Sequence, residues 1–176
     1  MEVLYTAEAT ATGGRKNGRA YSSDGAIDVQ INPPKEVGGS GEGTNPEQLF
    51  AAGYAACFDN ALATVARMEK LDPGQTSVTA LVALAKHPEG GFALDVELRV
   101  TVPNLTADEA ESLVAKAHRR CPYSRATRGN VDVRLTVLWA GGGPGSDRQA
   151  SPSEASGSAR GGSQGRSNRN TRNASP

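Results

Sequence analysis

Apolar and polar positions alternate along residues 92–102, where Val96, Leu98, Val100 and Val102 fall on one side and Asp95, Glu97, Arg99 and Thr101 on the other. A period of two predicts a half-buried strand with one wet face, ended by Pro103. Residues 131–139 alternate in the same way and predict the last strand. Between 77 and 85 both faces are apolar, Val78, Ala80, Val82 and Leu84 on one and Thr79, Leu81, Ala83 and Ala85 on the other, so this strand is expected to be covered on both sides. Three short strands are predicted at 3–12, 17–23 and 26–31, joined by turns at 13–18 and 23–25 that supply Gly, Asn and Asp where positive φ is needed.

Two helices interrupt the strands. The first opens at Asn45, a good cap, with Pro46 suited to the first helical position and Gln48 three residues on as in a capping box. From Leu49 to Val65 its only formal charge is Asp59, so the helix is expected to be buried on every side. The second opens at the capping box Thr106-Ala107-Asp108-Glu109, turns Ala110, Leu113, Val114 and Ala117 inward, and stops at Cys121-Pro122, since proline disfavours helix for the residue before it. The order βββ-α-ββ-α-β predicts an α+β fold with mainly antiparallel sheet.

Composition divides the chain. Residues 1–140 read as one domain, and residues 141–176 as a disordered Gly/Ser/Arg-rich tail, because that stretch holds no Leu, Ile, Val or aromatic residue with which to offset ordering entropy. Five Arg against Asp147 and Glu154 leave the tail at +3, and 14 basic against 17 acidic side chains leave the domain at −3. Nucleic acid is therefore an unfavoured partner for the domain. No run reads as the eighteen or so apolar residues of a membrane helix, and the opening Met1-Glu2-Val3-Leu4-Tyr5 lacks the regions of a signal peptide, so the chain reads as cytoplasmic. In a reducing compartment Cys57 and Cys121 are weak evidence for a structural staple, and their separation excludes CxxC chemistry and ordinary zinc pairs.

The chemistry-bearing candidates are these two thiols and the charges that could tune them, Arg15, Glu47, Asp59, Arg119, Arg120, Arg125 and Arg128. Each cysteine is either inert core or a nucleophile whose thiolate a nearby guanidinium favours. Around Cys57, the apolar Leu49, Phe50, Phe58 and Leu62 suit an alkyl group. His87 and His118 read as surface residues, and no His/Asp set suggests a hydrolytic triad.

Three segments carry a resemblance. Asn45-Pro46-Glu47-Gln48-Leu49-Phe50-Ala51-Ala52-Gly53-Tyr54-Ala55-Ala56-Cys57-Phe58, then Cys121-Pro122-Tyr123-Ser124 followed by Ala126-Thr127-Arg128-Gly129-Asn130, and the opening from Leu4 to Arg15 resemble the organic hydroperoxide resistance (Ohr) proteins of the Ohr/OsmC family. The likeness runs from about Val3 to Leu138; Asp59-Asn60 is more polar and Arg125 more charged than the pattern, and nothing after Ala140 has a counterpart in it. The resemblance implies a thiol peroxidase in which Cys57 is the peroxidatic cysteine, Cys121 resolves it as a disulfide, and Arg15 and Glu47 hold and activate the thiolate. It further implies intertwined homodimers with sites at the interface, organic hydroperoxide substrates, a dihydrolipoyl group on a lipoylated protein as reductant, and no metal, haem or flavin. An OsmC-type peroxidase with another substrate preference and a non-catalytic binding or scaffold protein are the alternatives. For one Arg15 to reach both Glu47 and Cys57, the first helix must bend between them, and Gly53 is the expected break.

Overall fold

The alternating stretches become strands in the computed structural model, which describes residues 2–14, 17–139 and 142. β1 (Ala9–Thr12), β2 (Gly18–Ser22) and β3 (Asp28–Ile31) pair antiparallel in the order β1-β2-β3. β1 is shorter than expected because residues 2–8 find no strand partner among the described residues, and Val3, Leu4 and Tyr5 stand 77%, 89% and 79% exposed. A 3₁₀ turn at Lys35–Val37 leads into α1 (Pro46–Glu69). β4 (Ser77–Lys86), β5 (Phe92–Val102) and β6 (Val133–Trp139) form a second sheet in that order, β4 antiparallel to β5 and β5 parallel to β6. The parallel pair needs a crossover, which α2 (Ala107–Arg120) supplies. After it comes α3 (Pro122–Thr127), a single short helix that begins where the sequence reading ended the second helix.

Both helix starts form for the reasons read in the sequence, with one change of partner. Asn45 Oδ1 accepts the Gln48 N–H at 2.9 Å, but Gln48 Oε1 takes the hydroxyl of Thr44, at 2.7 Å, rather than closing a box on Asn45. In α2 the Glu109 carboxylate accepts from the Thr106 N–H at 3.0 Å and from its hydroxyl at 2.8 Å. The core lies between α1, α2 and the inner face of the second sheet: Phe58, Leu62, Leu98, Val96, Val100 and Leu113 are fully buried, each such side chain contributing roughly 1.5–3 kcal/mol.

Four expectations are not met within this one chain, each for a physical reason. α1 runs unbroken through Gly53, whose propensity cost of about 1 kcal/mol is too small to interrupt a 24-residue helix held by packing. It is buried on one face only, through Tyr54, Phe58, Ala61, Leu62, Val65 and Ala66, while Ala52, Ala56, Asn60 and Ala63 are exposed. β4 is likewise uncovered: Thr79, Leu81 and Ala83 are exposed and the inner Val78, Ala80, Val82 and Leu84 are half-buried. Among the described residues the first sheet makes no substantial contact with α1 or with the second sheet, so no described residue of the first sheet covers this apolar surface. Among the described residues α1 alone is long and apolar enough to cross a bilayer, contrary to the sequence reading, yet its inner face packs on β4 and α2 as a core helix does. The tail at 141–176 lies outside the described residues apart from Gly142.

Candidate active site

Cys57 sits in the middle of α1, half-buried, one residue before the fully buried Phe58. Cys121 occupies the joint between α2 and α3. Its own N–H completes α2 through Ala117 O at 2.8 Å, its carbonyl opens α3 by accepting the Arg125 N–H at 3.0 Å, and its extended ψ of 124° turns the chain between them. Pro122, which has no N–H and fixed φ, cannot continue α2 but fits the first position of α3. This corner delivers Cys121 Sγ, with no solvent exposure, to 3.4 Å from Cys57 Sγ; both are free thiols.

A buried clamp holds the corner in place. Tyr54, one turn before Cys57 and fully buried, donates its hydroxyl to Ser124 Oγ at 3.0 Å and lies 3.3 Å from Thr127 Oγ1. Beside it Phe50 and Tyr123 stack, with ring centroids 6.2 Å apart, and Tyr54 meets both, edge-on to Phe50 at 5.7 Å and tilted to Tyr123 at 5.8 Å. Sequence reasoning passed over Tyr54, Tyr123, Ser124 and Thr127. A signal for Tyr54 was available, since a phenol placed in an otherwise apolar helix must find a polar partner when buried.

The electrostatics of the thiol pair in one chain oppose ionisation. Burial pushes the Cys57 thiol up, the backbone amide of Tyr123 draws it down, and the neighbouring Cys121 raises it again. The positive groups on α2 and α3 are occupied elsewhere or face water: Arg119, Arg120 and Arg125 are exposed, and Arg128 donates to the His118 carbonyl at 3.2 Å. Asp59 accepts the Thr76 hydroxyl at 3.2 Å. Glu47 is half-buried in the first turn of α1, ten residues and hence about 15 Å along the axis from Cys57. Arg15 lies outside the described residues. The structure thus brings together Cys57 and Cys121 but keeps Glu47 apart from them on the same helix.

His87 is exposed, as expected, but His118 is not a surface residue. Its ring packs on Phe58 with centroids 6.3 Å apart, and its Nδ1 is buried without a hydrogen-bond partner. Among the described residues no three His, Cys, Asp or Glu side chains gather into a metal-holding group. What the assembled groups can do is thiol–disulfide chemistry: one half-buried sulfur and one fully buried sulfur in contact.

Known proteins resemble this chain over most of its described length. The family profile described as OsmC-like protein matches residues 39–136. An organic hydroperoxide resistance protein of Xanthomonas axonopodis pv. citri is 57% identical over 138 residues, covering 77% of this chain and 96% of the relative. Among solved structures, an organic hydroperoxide resistance protein of Elizabethkingia anophelis, crystallised with thiocyanate bound, is 50% identical with a TM-score of 0.75, covering 78% of this chain and 99% of that one. The organic hydroperoxide resistance protein OhrB of Bacillus subtilis is 46% identical with a TM-score of 0.70, covering 77% and 99%.

Proposed function

The chain belongs to the Ohr/OsmC family, and from that premise we propose that it is a cysteine-based peroxidase that reduces organic hydroperoxides to alcohols in defence against peroxide stress. The observation that carries the reading is the 3.4 Å contact between Cys57 Sγ and Cys121 Sγ, an exposed-enough sulfur paired with a buried one. The Cys57 thiolate attacks the terminal oxygen of the hydroperoxide; an S–O bond forms, the O–O bond breaks, and the alkoxide leaves and takes up the proton that the thiol gave up on ionising, so that Cys57 becomes a sulfenic acid and the product is the alcohol. The Cys121 thiol then attacks the Cys57 sulfur, an S–S bond forms and water leaves. Disulfide sulfurs stand about 2.05 Å apart, so the two need to close only a little over an ångström. A dithiol completes the cycle by two exchange steps, and a dihydrolipoyl group on a lipoylated partner protein is the proposed donor. Both redox centres are side chains of the protein, so the cycle calls on no metal, haem or flavin.

The working unit is proposed to be a homodimer in the cytoplasm. The exposed apolar Val3, Leu4 and Tyr5, the uncovered outer face of α1 and the unsupported first sheet all support a second copy as the missing cover. A second copy also answers the electrostatic problem. Within one chain burial raises the Cys57 pKa, and an unbroken α1 holds Glu47 about 15 Å away. The Arg15 and Glu47 that act on a given Cys57 are therefore proposed to come from the partner copy, where a guanidinium would favour the thiolate.

A stopped-flow comparison of cumene hydroperoxide with hydrogen peroxide, using dihydrolipoamide or thioredoxin as reductant, tests the reading. Rapid consumption of the organic peroxide with dihydrolipoamide, abolished by Cys57→Ser with the fold intact, is expected. Equal consumption by the Cys57→Ser protein would refute it.

A further inference from the structure

Glycine inside a helix costs stability, because it adds freedom to the unfolded chain and no side chain to the fold. Gly53 nonetheless sits in the interior of α1, four residues before Cys57 and so on the same stripe of the helix, one turn away. What occupies the space is the ring of Tyr123. A methyl group built on Gly53 would stand 3.2 Å from Tyr123 Oη and 3.4 Å from its Cε2, closer than the present contact allows without displacement. The same ring stacks on Phe50, and the backbone amide of the same residue draws the Cys57 thiol pKa down. Tyr123 is 41% exposed and Phe50 is half-buried, so the pair presents an accessible aromatic surface beside the thiol.

We propose that Gly53 is a specificity-determining position: its missing side chain seats the Tyr123 ring against α1 and so sets the Phe50–Tyr123 wall on which the carbon part of a hydroperoxide packs while its O–O bond reaches Cys57. The inference rests on the peroxidase reading and names the part of the substrate that the site selects, a planar aryl or branched alkyl group. Hydrogen peroxide has no such part, so the position of the wall enters the transition state of the organic substrate alone. A Cβ at residue 53 moves the ring by a few tenths of an ångström. Because Tyr123 is partly exposed, it swings outward and α1 tolerates the change, gaining helix propensity as it does.

The test is a cycle of full-length variants, Gly53→Ala, Tyr123→Ala and both together, each measured for its rate with cumene hydroperoxide and with hydrogen peroxide. Gly53→Ala is expected to melt no lower than the wild type, to lose about tenfold in the organic rate, and to lose far less in the hydrogen peroxide rate. In the Tyr123→Ala background the ring is gone, so adding Gly53→Ala changes nothing further. An unchanged ratio in folded Gly53→Ala, an equal loss for both peroxides, or the same loss in the Tyr123→Ala background would each overturn the proposal. A second pair of probes, N-phenylmaleimide and methyl methanethiosulfonate, read at Cys57 by peptide mass spectrometry, compares bulky with small thiol reagents. If the wild type consumes no peroxide, the peroxidase reading falls, and this reagent ratio still decides the role of Gly53. If Gly53→Ala does not fold, Tyr123→Phe and Tyr123→Ala decide: the ring-keeping variant retains the preference and the ring-less one loses it, and equal behaviour of the two refutes the wall.

Discussion

The hydroxyl of Tyr54 donates to Ser124 Oγ at 3.0 Å across 70 positions of sequence, fastening the helix that bears Cys57 to the corner that bears Cys121. Both residues are fully buried, so the bond has no water to replace it. Tyr54→Phe keeps the ring packing with Phe50 and Tyr123 and removes only the donor. The expected cost is about 1–2 kcal/mol, since Ser124 is left with an unmet buried oxygen. Urea unfolding checks the stability, and the rate of disulfide formation after one equivalent of peroxide checks whether the clamp also times the chemistry; no change in either would show that Tyr54 does not hold the pair.

Removing the buried thiol separates the two half-reactions. With Cys121→Ser, Cys57 still reacts with the first equivalent of organic hydroperoxide, but the sulfenic acid has no neighbour to condense with. Turnover with a dithiol falls, and excess peroxide drives Cys57 on to sulfinic acid. Intact-protein mass spectrometry after stepwise peroxide addition reads this directly. Full turnover without sulfinic acid would remove Cys121 from the mechanism.

Which of these features the sequence disclosed follows from the range of the signal. Asn45, Pro46, Thr106 and Glu109 act within one helical turn of themselves, so both helix starts were legible, as was the period of two in β5 and β6. The first sheet, the core positions of α2 and the α+β order followed from the same local rules. What pairs across the chain was not legible. Gly53 reads as a hinge in isolation but lies in an unbroken helix against a ring 70 positions later, and Cys121-Pro122 reads as a stop although the proline also begins α3. The apolar run of α1 suggested burial on every side, whereas one chain covers only half of it. For the site itself, the residues named the two thiols as candidates and the family resemblance assigned their roles; the contact between them required coordinates.

His118 makes stability depend on pH in a definite direction. Burial lowers its pKa, and the neighbouring Arg128 and Arg119 lower it further, while Phe58 covers the ring and Nδ1 lacks a partner. A base whose folded pKa lies below its unfolded value of about 6.5 binds its proton more readily once unfolded, so its contribution is full above that value and is lost as pH falls through it. The urea midpoint is expected to drop between about pH 7.5 and about pH 5.5, and His118→Gln to flatten that slope. A slope as steep in the variant as in the wild type would assign the pH dependence to other groups.

The straight helix makes the last prediction a matter of which chain supplies which group. In one α1, Glu47 and Cys57 are ten residues apart, about 15 Å along the axis, and no bend at Gly53 brings them together. If Arg15 and Glu47 nevertheless serve Cys57, they serve the Cys57 of a second copy, and two inactive variants should rescue each other. Cys57→Ser supplies Arg15 and Glu47 but no sulfur; Arg15→Ala supplies the sulfur but no guanidinium. In a mixed dimer, one site combines the Cys57 of the second variant with the Arg15 of the first and is complete, while the other site lacks both. Random pairing makes half of the dimers mixed, so co-refolded protein should recover about a quarter of wild-type organic hydroperoxide consumption from two preparations that are each nearly inactive. If each chain served its own Cys57, no mixed dimer would contain a complete site and the mixture would stay inactive. Recovery on co-refolding, absent when the two folded proteins are combined without exchange, is the expected result. A co-refolded mixture that light scattering shows to be dimeric and that remains inactive would place Arg15 and Cys57 in the same chain.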